Sequence, residues 1–226
     1  VAVEVGLPPD LTFPPSILAL SPDLEPFSAR AAAVVMFRAA LISLIGSKQC
    51  RVIYYQRWHR IHPLAMSGPQ VDVLLTLDKE GVSPEKDDGT LETKVLGILA
   101  GRHDRTRRPL FSDPAEWPSG WLPQGGPIDQ LVRAVIEKKR PDPYRFVVDL
   151  VAKDAVSKDW GEWSGSSSSR EMFQLFPSYT SRYNLEVQDY RDYLGQFADE
   201  YPTLDGILVK RIRQGINAMI EAEDSR

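Results

Sequence analysis

Cys50 is the only cysteine in the sequence, which excludes an intramolecular disulfide framework and any multi-cysteine zinc or iron–sulfur site. Histidine is nearly as scarce, with His59, His62 and His103 alone. His59-x-x-His62 offers two metal ligands, but a catalytic zinc needs a third in reach. His103 and Asp104 are the only nearby suggestions and no HExxH spacing occurs, so the expectation is no metal and no cofactor. Neither a G-x-G-x-x-G loop nor a Walker lysine sequence is present, and no GxSxG elbow surrounds a serine. Cys50 stands nine residues before His59 with nothing to pair them as nucleophile and base, and reads as a small buried hydrophobe.

Long apolar runs are also missing. The nearest, residues 31–45 (AAAVVMFRAALISLI), falls short of the roughly 20 residues that cross a bilayer and carries Arg38 near its centre, so it reads as a buried helix. The N-terminus lacks the basic-then-apolar order of a secretion signal. With one cysteine, the expected setting is intracellular (cytoplasmic) or within an assembled particle, with no membrane partner.

What is there is a chain of 226 residues, 42% hydrophobic, 26% charged and 9% aromatic. That composition excludes a wholly disordered or collagen-like chain, and area scaling lets about 70% of the surface be buried on folding. Four segments are expected: an extended arm over 1–27, a helical and strand part with a basic patch over 28–108, an irregular Pro/Trp-rich connection over 109–126, and a helical part over 127–226. The fold class expected is mostly α (α+β possible), a helical domain with a small strand or hairpin component near 51–78 and an extended Pro-rich N-terminal arm.

Six prolines in 1–27 forbid one regular element there, so the arm runs extended over the body or over a neighbouring subunit, anchored by Leu11, Phe13, Ile17 and Leu18. Ser28 caps an apolar helix to Ile45, with Gly46 as its stop. Val71, Val73, Leu75 and Leu77 alternate with Asp72, Leu74, Thr76 and Asp78 at the period of a strand. Thr90 caps a helix with Leu91, Val95, Ile98 and Leu99 on one face. Pro127 opens a helix through Ile128, Leu131, Val132, Val135 and Ile136, closed by Pro141. Residues 146–156 are ambiguous between strand and helix. Ser168 and Glu171 form a capping box that places a helix start before Met172. Two further stripes, Val187 to Tyr201 and Leu204 to Ile220, predict an antiparallel helical hairpin.

Charge is uneven although the net is only −4. Residues 47–68 carry Lys48, Arg51, Arg57 and Arg60 with no acid, whereas 69–101 hold seven acids against three lysines. Tyr54, Tyr55 and Trp58 interleave with those cations, and Arg102, Arg105, Arg107 and Arg108 follow. Cations neutralise phosphates and rings stack on unpaired bases, which suits single-stranded nucleic acid. The residues expected on nucleic acid are Arg51, Arg57, Arg60, Arg105, Arg107 and Arg108 on phosphate and Tyr55 and Trp58 on bases. Lys138-Lys139-Arg140 reads as complementing a helix C-terminus. Trp117 and Trp121, in Pro-rich sequence, are expected as subunit anchors.

Arg57-x-x-x-x-His62 resembles, over those six residues, the short signature of the helical HEPN ribonucleases, which implies an arginine and a histidine on one helical face. On that alternative, a metal-independent HEPN-like ribonuclease, Arg57 and His62 are the catalytic residues. The leading expectation is a non-enzymatic, self-assembling subunit that binds single-stranded nucleic acid, RNA before DNA, in the manner of a nucleocapsid or coat protein. A helical protein-interaction module without nucleic acid is the other alternative, favoured if Arg105–Arg108 pair with the acids of 79–92.

Overall fold

The computed structural model describes residues 5–18, 29–57, 60–62, 65–66, 70–77, 89–100, 125–136, 142–164 and 172–224. It is mostly helical with small antiparallel sheets. Among the described residues no helix is long and apolar enough to cross a membrane.

Residues 5–18 of the N-terminal arm lie on the protein's own body. After a short turn of helix, α1 (Pro15–Leu18), the sequence leads to α2 (Ala29–Gly46), whose small and apolar residues bury almost all round. Phe13, Ile17 and Leu18 are fully buried and Leu11 partly so. Phe13 stands edge-on to Trp160, Tyr179 and Tyr183 at 5.0, 6.2 and 5.6 Å between centroids. Glu186 accepts from the Thr12 and Phe13 N–H groups at 2.9 and 3.0 Å, and Tyr183 donates to the Ile17 carbonyl. An extended segment has no ladder to satisfy its backbone, so these side chains supply the partners.

Arg38, inside the apolar α2, is held rather than exposed. Its Nε meets Asp205 at 2.6 Å and its Nη2 donates to the Leu194 carbonyl at 3.2 Å. Gly46 belongs to α2 and is not what turns the chain. The left-handed residue is Lys48 (φ 58°), with Gln49 N–H returning to the Leu44 carbonyl. Gly46 is needed because a Cβ there would run into the Tyr193 hydroxyl.

Strands β1 (Cys50–Arg57) and β4 (Gln70–Leu77) pair antiparallel, with β2 (Arg60–His62) and β3 (Ala65–Met66) paired between them in the chain. Both faces of β4 are buried from Asp72 to Leu77, and a short β5 (Gly125–Pro127) joins its other edge, so the last residues of the segment expected to be irregular are a strand. α3 (Leu91–Ala100) is capped by Thr90, whose hydroxyl accepts from the Thr93 N–H at 3.2 Å. α4 (Ile128–Val135) follows Pro127 and buries all five expected apolar residues, though Ile136 is already extended.

Residues 146–156 are helical. α5 (Pro143–Ser157) starts where Asp142 accepts from the Tyr144 and Arg145 N–H groups, with Pro143 at the first position. The helix start expected before Met172 is a strand instead. β7 (Met172–Leu175) pairs with β6 (Gly161–Ser164), and α6 (Pro177–Glu200) begins at Pro177, which fixes φ for a first turn. Ser168 and Glu171 lie outside the described residues.

α7 (Pro202–Asp224) follows α6 after Tyr201 alone. An antiparallel helical pair takes a two- to five-residue connection, and one residue makes a corner. α7 therefore packs mainly along α4 rather than α6, and Arg38 bridges the corner. Gly215 allows that crossing, since a Cβ there would stand 2.6 Å from the Asp129 carbonyl oxygen. One core cluster collects side chains from Val5 through α2, the sheet and α3–α5 to Ile216.

Candidate nucleic-acid interface

The β1/β4 hairpin is anchored at one end and exposed at the other. In its register Cys50 faces Leu77, Val52 faces Leu75 and Tyr54 faces Val73. Cys50, Leu75 and Leu77 are buried, but Tyr54 is 37% and Val71 56% exposed, so the ladder leaves the core between Val73 and Val71. It then continues to Arg57 opposite Gln70, and the chain goes on through β2 and β3, where a bulge separates Arg60 from His62. β1 is the edge of its sheet among the described residues. Burial of part of the Tyr54 ring raises its hydroxyl pKa, which keeps it a neutral donor at physiological pH.

Strand alternation puts positions 51, 55 and 57 on one face of β1. The structure thus brings Arg51, Tyr55, Arg57 and Arg60 to one hairpin, with Lys48 exposed at its entry. The hairpin strands contain one acid, Asp72, which stands opposite Tyr55 and is fully buried. Its carboxylate is gripped by Arg211, Nε to Oδ1 at 2.9 Å and Nη2 to Oδ2 at 2.5 Å, and Arg211 Nη1 also reaches Gln214 Oε1 at 2.6 Å. A buried charge with its counter-charge in fork geometry contributes little outward field. Asp72 therefore contributes little negative field to the face it shares with Tyr55.

Arg211 was not separable by sequence from its basic neighbours Lys210 and Arg213. The signal was its position three residues after Leu208, on the edge of the apolar stripe. Its partner lies 139 residues away in sequence.

The one-helix-face geometry of the Arg57/His62 signature is absent. Arg57 ends β1 and His62 ends β2, so the two residues sit on separate strands, and the ribonuclease reading loses the feature that carried it. Trp58, His59, His103, Asp104, Arg105, Arg107, Arg108, Trp117 and Trp121 lie outside the described residues, as do Lys138 to Arg140 and the acids of 79–88. Trp160 packs edge-on against Phe13, with the Lys158 ammonium 5.2 Å from its ring centroid. In comparisons with known proteins, no family model, no curated protein and no solved structure matches this chain.

Proposed function

We propose that this protein is a non-enzymatic structural subunit that binds single-stranded nucleic acid through its basic hairpin and assembles with copies of itself. The observation that carries the reading is the hairpin that leaves the core at Tyr54 and Val71, bearing Arg51, Arg57 and Arg60, with its only strand acid, Asp72, neutralised inside by Arg211. A focused positive element attracts a polyanion even on a chain of net charge −4. The edge position of β1 among the described residues and the exposed Tyr54 and Val71 support the assembly half, because a sheet edge is a template on which another chain can pair. Basic hairpins of two copies repel until phosphates neutralise them, so assembly follows binding.

The test is titration of a labelled single-stranded 30-mer RNA at several salt concentrations, with particle size and strand integrity followed together. Salt-sensitive binding with growth of large particles is the expected result. Binding without growth removes the assembly half, strand cleavage overturns the non-enzymatic half, and no binding at low salt overturns the whole reading in favour of a protein-interaction module.

A further inference from the structure

A second group of cationic and amide donors lies where α2, α5 and α7 meet. The Arg30 guanidinium carbon stands over the Tyr144 ring, 5.0 Å from its centroid, and the Tyr144 hydroxyl donates to Asn217 Oδ1 at 2.5 Å. That bond occupies the acceptor of the amide and leaves its two N–H donors on an exposed residue. Arg213, also exposed, is one helical turn before Asn217 on α7 and therefore shares its face. Burial raises the Tyr144 hydroxyl pKa while Arg30 and Arg213 both act to lower it, so both cations bear on the same hydroxyl.

Among the described residues this group has few acceptors to match its donors. Among the described residues neither Arg30 nor Arg213 has a carboxylate at ion-pairing distance. Asp142, the nearby acid, already accepts from the Tyr144 and Arg145 N–H groups as the cap of α5, and Asp149 is taken by Arg145. Two like charges held near one hydroxyl repel each other, and an anion between them relieves that repulsion. The tyrosine ring holds one guanidinium in place, and the Tyr144–Asn217 bond sets the direction of the amide donors.

We propose that Arg30, Arg213 and Asn217 form a phosphate-binding site that takes a phosphodiester of the strand bound at the hairpin. The inference rests on the nucleic-acid reading and extends it to a second contact point. A strand spanning both points gains affinity through the effective concentration of the second contact.

The experiment compares full-length protein with Arg30→Gln/Arg213→Gln, with Arg213→Gln alone, and with Arg57→Gln/Arg60→Gln, each titrated with the 30-mer across a salt series and checked by thermal melting. The first double variant is expected to bind at least tenfold more weakly and to lose about one phosphate's worth of salt slope, roughly 0.7 in log K against log salt for a single strand. Arg213 stacks on no ring among the described residues, so Arg213→Gln separates a lost contact from a lost fold: it is expected to weaken binding with an unchanged melting temperature. Unchanged affinity and slope in both of these variants, with binding weakened by the hairpin variant, overturns this site and leaves the hairpin reading standing. No binding by the unaltered protein at low salt overturns both.

Discussion

Arg211 holds Asp72 with both arms of its guanidinium at a point where neither side chain meets solvent, tying the root of the hairpin to the middle of α7. Asp72 Oδ1 also accepts from the Val73 N–H at 2.9 Å. Removing one partner of such a pair strands a charge in the interior, so Arg211→Met is expected to destabilise by about 3–5 kcal/mol. Replacing both, Asp72→Leu with Arg211→Met, is expected to recover most of that loss. Urea unfolding of the two single variants and the double variant checks it, and additive losses would contradict the pairing.

The two glutamates that fasten the N-terminal arm respond to pH in opposite senses. Burial pushes the Glu186 carboxyl up, but the Phe13 N–H, the Arg182 guanidinium and Thr12 together bring it below its usual value. A depressed carboxyl pKa contributes stability that is present above the unfolded value and lost as pH falls through the folded one. Glu92 accepts from the Ser16 N–H and hydroxyl at 2.9 and 3.0 Å, yet burial, with help from the Asp154 charge, raises it. A raised carboxyl favours the folded state at low pH and loses that contribution as pH rises through its folded value. Glu186→Gln is thus expected to melt lower than the unaltered protein at pH 7, with the gap closing toward pH 4. For Glu92→Gln the comparison with the unaltered protein is expected to be most favourable to the variant at neutral pH. Thermal melts of the three proteins from pH 4 to 8 are the measurement, and parallel curves would remove the role assigned to these carboxyls.

The arm carries its own packing prediction. Phe13 fills a box made by Trp160, Tyr179 and Tyr183 and is 1% exposed. Phe13→Ala is expected to cost about 3–5 kcal/mol, the range for a buried phenylalanine. If the arm docks as a unit, limited proteolysis of the variant cuts first within residues 5–18, while a variant that loses stability evenly is cut throughout.

Much of this architecture was legible from periodicity. Leu204, Leu208, Ile212 and Ile216 are fully buried on α7, and the alternation around Val73 and Leu75 is a strand. Local pattern failed where two readings had equal apolar density. Residues 146–156 fit strand or helix, and the Asp142-Pro143 start decided the matter. The Ser168/Glu171 box had the right spacing but stood before a hairpin strand, because Pro177 supplies the stronger helix start. For the site, the sign of the charge along 47–68 was readable, while the fate of each cation was not. Arg38 and Arg211 spend their charge on Asp205 and Asp72, partners 167 and 139 positions away that no window of sequence brings together.

Glycines separate close packing from helix propensity within the same pair of helices. A Cβ at Gly215 would meet the Asp129 carbonyl oxygen at 2.6 Å and the Val132 Cβ at 2.9 Å, whereas Gly195 and Gly206 have nothing within 4 Å. Alanine in an open helical position removes the entropic disadvantage of glycine and is worth about 0.5–1 kcal/mol. Gly195→Ala and Gly206→Ala are therefore expected to raise the melting temperature. Gly215→Ala must push α4 away from α7, and forced overpacking costs about 1–3 kcal/mol, more than the propensity gain. A fall in melting temperature for Gly215→Ala beside rises for the other two is the expected pattern, and a rise for all three would mean that the α4–α7 crossing is looser than described.

The hairpin's contribution to binding is expected to be electrostatic and indifferent to sequence. Arg57 and Arg60 lie beyond the point where the β1/β4 ladder leaves the interior, so Arg57→Gln/Arg60→Gln is expected to leave the melting temperature unchanged. If each arginine neutralises one phosphate, the double variant loses about 1.4 from the slope of log K against log salt, and it does so equally for poly-U, poly-A and a mixed 30-mer. Tyr54→Ala removes a ring that is partly exposed at the same point and carries no charge. Stacking on a base is worth about 1–3 kcal/mol, so this variant weakens binding at every salt concentration without altering the slope. The two signatures are separable in one titration series: a slope change with Tyr54→Ala, or a uniform loss with the arginine pair, would assign the contacts the other way round.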